Sequence, residues 1–235
     1  CRPPMERSSY MLPVAVGCSY NRCTFCTLFK HLRYRPLPIE QVEQELKRVS
    51  AAGGNPVQIF LGDGNAFGME TDHLLHILEL IHRYFPGCRM VNMDATVTNI
   101  SQKSDEELRL LYDQGVRRLY LGIESGLDDV LSFTKKDHNL QQAYCQIERM
   151  KNAGMIFNAH IMTGIAGAGR GTENAQQTAL FFNRTQPERI INFSLFLNRR
   201  APLFRDYQAG RFTPASELEN LMEDRLLVSL LQVPG

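Results

Sequence analysis

A repeated alternation of short apolar runs and longer helical patterns constrains the fold of this chain more than any other feature. The alternation recurs roughly every 30–40 residues along the 235-residue sequence. Alternation of this length is typical of parallel sheets in which a helix connects each strand to the next. Six units are fewer than the eight of a complete barrel, so we predict an α/β fold with an incomplete barrel of parallel strands. The runs that we interpret as strands are 11–17, 57–61, 89–94, 116–123, 155–162 and 189–197.

The stretches between these runs carry apolar residues at helical spacing. In the first of them, Val42, Leu46 and Val49 recur on one face, and Gly53 is a stop signal. Ser104 and Glu107 have the spacing of a capping box, which predicts that a helix begins there. The predicted helices are 39–49, 70–85, 104–115, 139–153, 172–186 and 215–232.

Three cysteines directly follow the first apolar run. Cys18, Cys23 and Cys26 have the spacing C-x4-C-x2-C, and three thiolates this close in sequence are expected to share one centre. A structural zinc site takes four protein ligands, and a four-iron cluster is normally held by four cysteines. A trio therefore leaves one position open for chemistry. The alternative is a zinc site completed by a residue such as His31, although the chain has no second pair of ligands with zinc spacing.

This trio resembles the signature of the radical S-adenosylmethionine enzymes, which carry three cysteines on the loop after the first barrel strand. Their usual spacing is C-x3-C-x2-C with an aromatic residue before the last cysteine, and Phe25 fills that place. The first gap of this chain holds four residues instead of three. The resemblance implies a partial (β/α)6 TIM barrel, laterally open, with a 4Fe-4S cluster on Cys18, Cys23 and Cys26. It also implies that S-adenosylmethionine binds the fourth iron and contacts Phe25.

A glycine-rich segment ends the second predicted strand, where Gly62, Asp63, Gly64 and Asn65 follow one another. Glycine lets the backbone approach a ligand closely, and a carboxylate such as Asp63 accepts hydrogen bonds from an ammonium group. In the resembled family, a Gly-Gly-Glu-type motif at this position holds the amino group of the methionine moiety. The resemblance therefore implies that these four residues bind the cofactor. The alternative is a plain turn, because Gly, Asp and Asn commonly form turns.

The end of the fourth predicted strand resembles the Gly-x-Glu-Ser-Gly motif of one subgroup. That subgroup includes oxygen-independent coproporphyrinogen oxidases, Elongator-type acetyltransferases and methylthiotransferases. The resemblance implies that Glu124 and Ser125 bind S-adenosylmethionine. Lys136 lies where the subgroup has the arginine of Arg-x-His, so we expect it to engage the methionine carboxylate without a bidentate fork. Gly164, after the fifth strand, is expected beside the adenine.

Two groups of basic residues have open interpretations. Arg199 and Arg200 follow the sixth predicted strand, in the place of a Gly-Thr-Pro-Leu segment of the family. They either bind a carboxylate or phosphate of a substrate or form a surface pair. The segment after the cysteines, with Lys30, His31, Arg33 and Arg35, is either a solvated loop or a binding site for an anionic ligand or a reductant. The sequence identifies no catalytic residue.

The resemblance also implies a reaction. A reduced cluster transfers one electron to the sulfonium of S-adenosylmethionine, which yields methionine and a 5′-deoxyadenosyl radical that abstracts hydrogen from a substrate. The expected partners are a low-potential electron donor such as a flavodoxin or ferredoxin and a small-molecule substrate, for which an anion is one candidate. Two alternative functions are a non-catalytic protein that binds a tetrapyrrole or transfers electrons, and a tRNA-modifying enzyme.

Composition limits the remaining possibilities. The formal net charge of +1 gives no overall attraction to nucleic acid or to membranes, so we expect neither as a partner. No apolar run approaches the roughly 18 residues of a spanning helix. Three of the six cysteines lie close together, which is typical of metal ligands in a reducing compartment and predicts a cytoplasmic location. We expect an N-terminal extension (1–10), a core barrel (11–212) and a C-terminal helix packing on the core (213–235).

Overall fold

The strands of the protein belong to one sheet. A computed structural model describes residues 2–233, and Cys1, Pro234 and Gly235 of the predicted terminal segments lie outside the described residues. The strands are β1 (Tyr10–Gly17), β2 (Arg35–Pro36), β3 (Gln58–Gly64), β4 (Met90–Ala95), β5 (Val116–Glu124), β6 (Ile156–Thr163) and β7 (Arg189–Ser194).

The sheet is mostly parallel. Strand β3 pairs in parallel with both β1 and β4, and β6 pairs in parallel with β7. The strand order is β2-β1-β3-β4-β5-β6-β7, so β2 and β7 are its two ends. The predicted fold class, an α/β protein with an open sheet of parallel strands, is confirmed.

The edge strand β2 lies in the segment after the cysteines, outside the predicted strands. It pairs antiparallel with β1, where Ala15 lies opposite Pro36 and Val16 opposite Arg35. Two residues are too few to produce an alternating pattern in the sequence. The prediction that strand six continues to residue 197 is wrong, because β7 ends at Ser194.

Helices connect the strands at the predicted places. The Ser104 hydroxyl accepts from the Glu107 N–H and the Glu107 carboxylate from the Ser104 N–H, so the predicted capping box is present. Helices α3, α5 and α8 lie outside the predicted ones, because each has only five or six residues and too few turns for a periodic pattern. The helices are α1 (Ile39–Ala51), α2 (Thr71–Tyr84), α3 (Val97–Ser101), α4 (Asp105–Asp113), α5 (Asp128–Phe133), α6 (Leu140–Asn152), α7 (Gly171–Thr185), α8 (Leu203–Gln208) and α9 (Glu217–Leu230).

The chain divides into two compact units, and the first contains β1 to β4 and the first part of β5. Helix α1 packs against α2, and β3 packs between β1 and β4. The buried Glu6 carboxylate accepts hydrogen bonds from Tyr120 at 2.6 Å and from Asn92 at 2.8 Å. These bonds offset the unfavourable burial of a carboxylate. The unit comprises Cys1–Asn21, Phe29–Tyr120 and Arg149–Ile156.

The second unit contains the end of β5, most of β6 and all of β7. Helix α7 packs against α9, and the buried Asn174 of α7 donates to the buried Glu223 of α9 at 2.6 Å. The Glu223 carboxylate also accepts from the N–H of Gly164. Helix α9 is thereby tied to the loop that follows β6. The unit comprises Arg22–Leu28, Leu121–Glu148 and Phe157–Gly235.

None of the helices within residues 2–233 combines the length and the apolar character that crossing a membrane requires. The domain boundaries at residues 10 and 212 stay predictions.

Candidate functional site

The three cysteines are the first candidate ligands. Cys18 follows β1 in the first unit, whereas Cys23 and Cys26 belong to the second. All three are half-buried free thiols. Sulfur donors are the ligand type that iron–sulfur clusters take, so the residues fit a cluster in number and chemistry. Over residues 2–233 no group of three His, Cys, Asp or Glu side chains is already arranged to hold a metal ion, and the trio's role as ligands stays a prediction.

In the first unit, the glycine-rich segment forms the last residues of β3. Asp63 has a left-handed backbone with φ of +64°, a conformation that is unfavourable for a side-chain-bearing residue and clusters at functional sites. A Cβ on Gly64 would lie 2.4 Å from the carbonyl oxygen of Gly17, and one on Gly62 would lie 2.8 Å from the Met11 side chain. Gly64 is therefore required for close approach to the backbone just before Cys18.

Asn65 is buried directly after β3. Its Nδ2 donates to Asn99 Oδ1 at 2.6 Å and to Ser19 Oγ at 3.2 Å, whereas its Oδ1 is buried and has no hydrogen-bond partner. Its backbone N–H donates to the carbonyl oxygen of Gly17. The side chain that was expected to bind the cofactor is thus directed toward the residue that follows Cys18.

Asp94, in β4, is a candidate that the sequence analysis did not identify. Its Oδ1 is buried without a hydrogen-bond partner. Burial, with a smaller contribution from the charge of Glu6, raises the pKa of Asp94 to about 7. Unpartnered carboxyl groups with raised pKa values are common in ligand sites. The available signal was the position of an acidic residue one place before the end of an apolar strand.

In the second unit, the main polar feature is the ion pair of Glu124 and Lys136. Lys136 Nζ lies 3.1 Å from Glu124 Oε1 and 3.7 Å from Asp137 Oδ1. The Lys136 and Glu124 side chains are only 7% and 10% exposed. Glu124, at the end of β5, also has a left-handed backbone, with φ of +67°. The two residues that were each expected to contact S-adenosylmethionine therefore pair with each other.

Burial and neighbouring charges shift the pKa values of Lys136 and Cys23 in opposite directions. Burial lowers the pKa of Lys136, but the Glu124 carboxylate, with contributions from Cys23 and Asp137, raises it by more, so the net shift is upward. Burial raises the pKa of Cys23 to about 11, although the Lys136 charge opposes that shift. Lys136 is therefore a permanent cation whose field extends to Cys23.

The two glycines of the Gly-x-Glu-Ser-Gly motif are each required for a different structural reason. A Cβ on Gly122 would lie 2.3 Å from Glu124 Oε1 and 2.7 Å from Lys136 Nζ, so this glycine leaves room for the ion pair. A Cβ on Gly126 would lie 2.3 Å from the backbone of α7. The Ser125 hydroxyl donates to Asn174 Oδ1 and accepts from the Leu127 N–H, and Ser125 is fully buried. We assign Ser125 a structural role in joining β5 to α7.

Backbone hydrogen bonds position the segment that carries Cys23 and Cys26. The Thr24 N–H donates to the carbonyl oxygen of Thr134 at 2.9 Å, and the Thr24 carbonyl oxygen accepts from the N–H of Leu203. The Thr24 hydroxyl is also within 3.3 Å of the Thr134 carbonyl oxygen. Thr24 is buried. Sequence reasoning missed this contact, because Thr24 shows no motif and its partner is distant in the chain.

The remaining predicted residues lie in different surroundings. Phe25 packs against a small apolar cluster of Leu127, Val130 and Ile165. Gly164 has φ of +78°, and a Cβ there would lie 2.6 Å from Asn220 Oδ1 of α9. Arg199 and Arg200 are exposed in a turn after β7. Their roles in binding a cofactor or substrate stay predictions.

The fold and these residues together define a class of protein. It is a mostly parallel α/β protein with three cysteines after its first strand and strained carboxylate residues in the last positions of two other strands. A sequence profile described as the Radical SAM superfamily matches residues 12–175, more than half of the chain. The chain therefore belongs to the Radical SAM superfamily.

Curated relatives come from the subgroups that the motifs suggested. The chain is 24% identical to the heme chaperone HemW of Bacillus subtilis, over 91% of this chain and 57% of that protein. It is 22% identical to the ribosomal protein uS12 methylthiotransferase RimO of Desulforamulus reducens, over 91% of this chain and 46% of that protein. It is 21% identical to a tRNA uridine(34) acetyltransferase of Methanocaldococcus infernus, over 49% and 22% respectively. The chain spans little more than half the length of these relatives, or less.

Solved structures have the same fold. Coproporphyrinogen III oxidase (HemN) from Escherichia coli superposes with a TM-score of 0.69 at 15% identity, over 94% of this chain and 52% of that one. Methylornithine synthase (PylB) superposes with a TM-score of 0.65 at 15% identity, over 96% and 64%. At these identities the similarity concerns the fold alone, and it confirms the predicted fold.

Proposed function

We propose that the protein binds a 4Fe-4S cluster through Cys18, Cys23 and Cys26 and cleaves S-adenosylmethionine reductively. The cluster would supply one electron to the sulfonium, which gives methionine and a 5′-deoxyadenosyl radical for hydrogen abstraction. The observation that carries the proposal is the C-x4-C-x2-C spacing within a chain of this superfamily. Three sulfur ligands leave one iron free to bind another molecule.

The Glu124–Lys136 pair supports S-adenosylmethionine as that molecule. Its methionine moiety carries an ammonium and a carboxylate, the same two charges that the pair presents. Glu124 would accept hydrogen bonds from the ammonium, and Lys136 would donate to the carboxylate as a single point charge. Because both side chains are nearly fully buried, each would exchange one ionic partner for another instead of losing water, which keeps the cost of binding low.

In the first unit, Asp63 and Asp94 are the acidic groups that we propose for contacts to the ligands. Asp63 already has the strained backbone that close approach to a ligand favours. Asp94 has an unpaired buried oxygen, which can accept a hydrogen bond from an ammonium or hydroxyl group. Neither residue needs to move far to act as an acceptor, since strand residues hold their positions better than loop residues.

We also propose that the electron comes from a low-potential protein such as a flavodoxin or ferredoxin in the cytoplasm. His31, Arg33 and Arg35 are exposed at alternate positions of the segment after the cysteines. A row of basic groups favours association with an acidic protein and makes its rate depend on salt. Raising the salt concentration should slow reduction by such a donor but not by dithionite.

The proposal is tested by anaerobic reconstitution with iron and sulfide, followed by incubation with dithionite and S-adenosylmethionine. The wild-type chain should produce 5′-deoxyadenosine. The Cys23→Ala variant should lose the product, whereas Cys145→Ala, which removes an exposed cysteine outside the trio, should retain it. Reconstituted wild type that holds a cluster and yields no 5′-deoxyadenosine would contradict the proposal.

A second candidate function is heme binding without S-adenosylmethionine cleavage. It is favoured by the similarity to the heme chaperone HemW, which extends over 91% of this chain. Titration with heme, followed by its absorption spectrum, tests this function in the same preparation. A stoichiometric heme complex together with no 5′-deoxyadenosine would replace the first proposal by the second.

A further inference from the structure

Ser19, which directly follows Cys18, is an exposed residue whose hydroxyl joins a hydrogen-bond network with two buried asparagines of the first unit. Its hydroxyl oxygen accepts from Asn65 Nδ2 at 3.2 Å and from Asn99 Nδ2 at 3.3 Å. The two amides also bond to each other, Asn65 Nδ2 to Asn99 Oδ1 at 2.6 Å. We call Ser19, Asn65 and Asn99 the Ser19 triad. Asn65 and Asn99 are only 5% and 4% exposed, so water competes little for the bond between their two amides.

Both amides of the triad are fixed by the backbone that carries them. The Asn65 N–H donates at 3.1 Å to the carbonyl oxygen of Gly17, the residue before Cys18. Asn99 is part of the capping box of α3, in which its Oδ1 accepts from the Thr96 N–H and its own N–H donates to Thr96 Oγ1. The triad therefore connects the residues on both sides of Cys18 to rigid elements.

Gly68 lies close to one side of the triad. A Cβ on Gly68 would lie 2.6 Å from Ser19 Oγ and 3.3 Å from Asn99 Nδ2. Asn65 Oδ1 is buried without a hydrogen-bond partner, and burying an unpaired acceptor is unfavourable. The Asn65 side chain nevertheless keeps this orientation, in which its Nδ2 donates to Ser19 and Asn99. This is the pattern expected where the position of Ser19 matters.

The third residue of the four-residue gap, Asn21, is held separately. Asn21 has a left-handed backbone with φ of +48°, which Asn tolerates better than most residues. Its Nδ2 donates to the carbonyl oxygens of Phe29 at 2.8 Å and Leu32 at 3.4 Å, and its own carbonyl oxygen accepts from Lys30 Nζ at 2.7 Å. The gap is thereby anchored at two of its four positions.

We propose that the Ser19 triad and Asn21 are positioning groups that hold Cys18 for cluster binding in a loop with one residue more than the usual spacing. The inference rests on the proposed function, since it assigns Cys18 to the cluster. A longer gap gives the first cysteine more conformational freedom, and the loss of this conformational entropy opposes cluster binding. The two anchors remove it before the cluster arrives. Groups that orient metal ligands in this way typically change metal affinity about 10–100-fold when they are removed.

The test compares reconstituted Ser19→Ala and Asn21→Gly with wild type and with Ser101→Ala. Asn21→Gly keeps the left-handed backbone accessible and removes only the side-chain hydrogen bonds. Ser101 is an exposed serine of α3 whose hydroxyl bonds only locally, so Ser101→Ala is the matched control. The readouts are the rate of iron loss to a chelator and the electron paramagnetic resonance spectrum of the reduced cluster.

We expect Ser19→Ala and Asn21→Gly to lose iron about 10-fold faster than wild type and to show an altered spectrum, with the cluster-free chains still folded at the temperature of the assay. Ser101→Ala should match wild type in all three measurements. Wild-type rates and spectra in both test variants would overturn the positioning role and leave the proposed function intact. A wild-type chain that takes up no cluster would overturn both.

Discussion

The surroundings of Cys18 and of Cys23 differ in kind. Beside Cys18, in the first unit, the polar contacts are neutral, formed by two asparagine amides and a serine hydroxyl. Near Cys23, in the second unit, they are ionic, with Lys136 between Glu124 and Asp137. One short motif is thus supported by two chemistries.

The difference between these surroundings indicates that they have different roles. Neutral hydrogen bonds depend on geometry and fix a loop without attracting ions, whereas a buried ion pair is costly to form and is most useful where a charged ligand exchanges with it. We interpret the first arrangement as positioning and the second as recognition. The comparison predicts that charge-removing substitutions will have large effects in the second unit and smaller ones in the first.

The largest effect is expected from Glu124→Ala. This substitution leaves the Lys136 charge buried and without its nearest partner, so the free energy of unfolding should fall by about 3–5 kcal/mol. Urea unfolding monitored by circular dichroism measures the change. The double variant Glu124→Ala with Lys136→Met should recover most of the loss, because it removes the unpaired charge. An equally large loss in the double variant would show that packing, and not charge, sets the stability here.

Alanine substitutions of two glycines, one beside each cysteine environment, should have the next largest effects on stability. Gly64→Ala forces a Cβ against the Gly17 backbone, and Gly122→Ala forces one against the Glu124–Lys136 pair. Each should lower the free energy of unfolding by about 1–3 kcal/mol. In the Glu124→Ala, Lys136→Met background the cost of Gly122→Ala should largely vanish, while the cost of Gly64→Ala should persist. Equal costs of Gly122→Ala in both backgrounds would contradict the assigned cause.

Asp94 is, like Glu6, an acidic residue of the first unit with a buried carboxyl oxygen, and it gives a pH-dependent prediction. Its folded-state pKa is raised to about 7, above that of the unfolded chain, so its contribution to stability is lost as the pH rises from about 4 through about 7. The stability of Asp94→Asn relative to wild type should therefore increase by about 1–3 kcal/mol between about pH 5 and pH 8. Denaturant titrations at the two pH values measure this difference, and a pH-independent difference would contradict it.

The smallest effect is expected at an exposed ion pair of the first unit. Arg83 and Glu79 lie 2.8 Å apart on α2 with side chains 55% and 65% exposed. Arg83→Ala should change the free energy of unfolding by no more than about 0.5 kcal/mol, because water screens exposed charges. A loss comparable to that of Glu124→Ala would show that charge alone, without burial, accounts for the contrast.

The regular elements followed from the sequence. The alternation of apolar runs and helical patterns located six parallel strands and their connecting helices, because burial on a sheet or along one helix face leaves a repeating pattern. Elements with too few residues for a pattern were missed. Strand β2 and helices α3, α5 and α8 are each six residues or shorter, and long-range contacts hold them in place.

The candidate site was predicted in part. Glu124 and Lys136 were each identified by motif, but their pairing was not, since they lie twelve positions apart in the chain. Asn65 was expected to contact a ligand, which stays a prediction, but the contacts of its amide with Asn99 and Ser19 were not foreseen. Thr24, Asp94 and Asn99 gave no motif at all. Motifs report residues that act in many proteins, whereas these contacts depend on how this particular chain folds.

The sequence by itself determined the order of the elements, the family and the identity of the three cysteines, because these are encoded in patterns among residues near one another in the chain. Only the tertiary structure decided which residues support each cysteine, since Asn99 reaches Ser19 across 80 positions and Thr24 reaches Thr134 across 110. The physical reason is that hydrogen bonds and ion pairs form between groups that folding brings within about 3 Å, whatever their separation in the sequence.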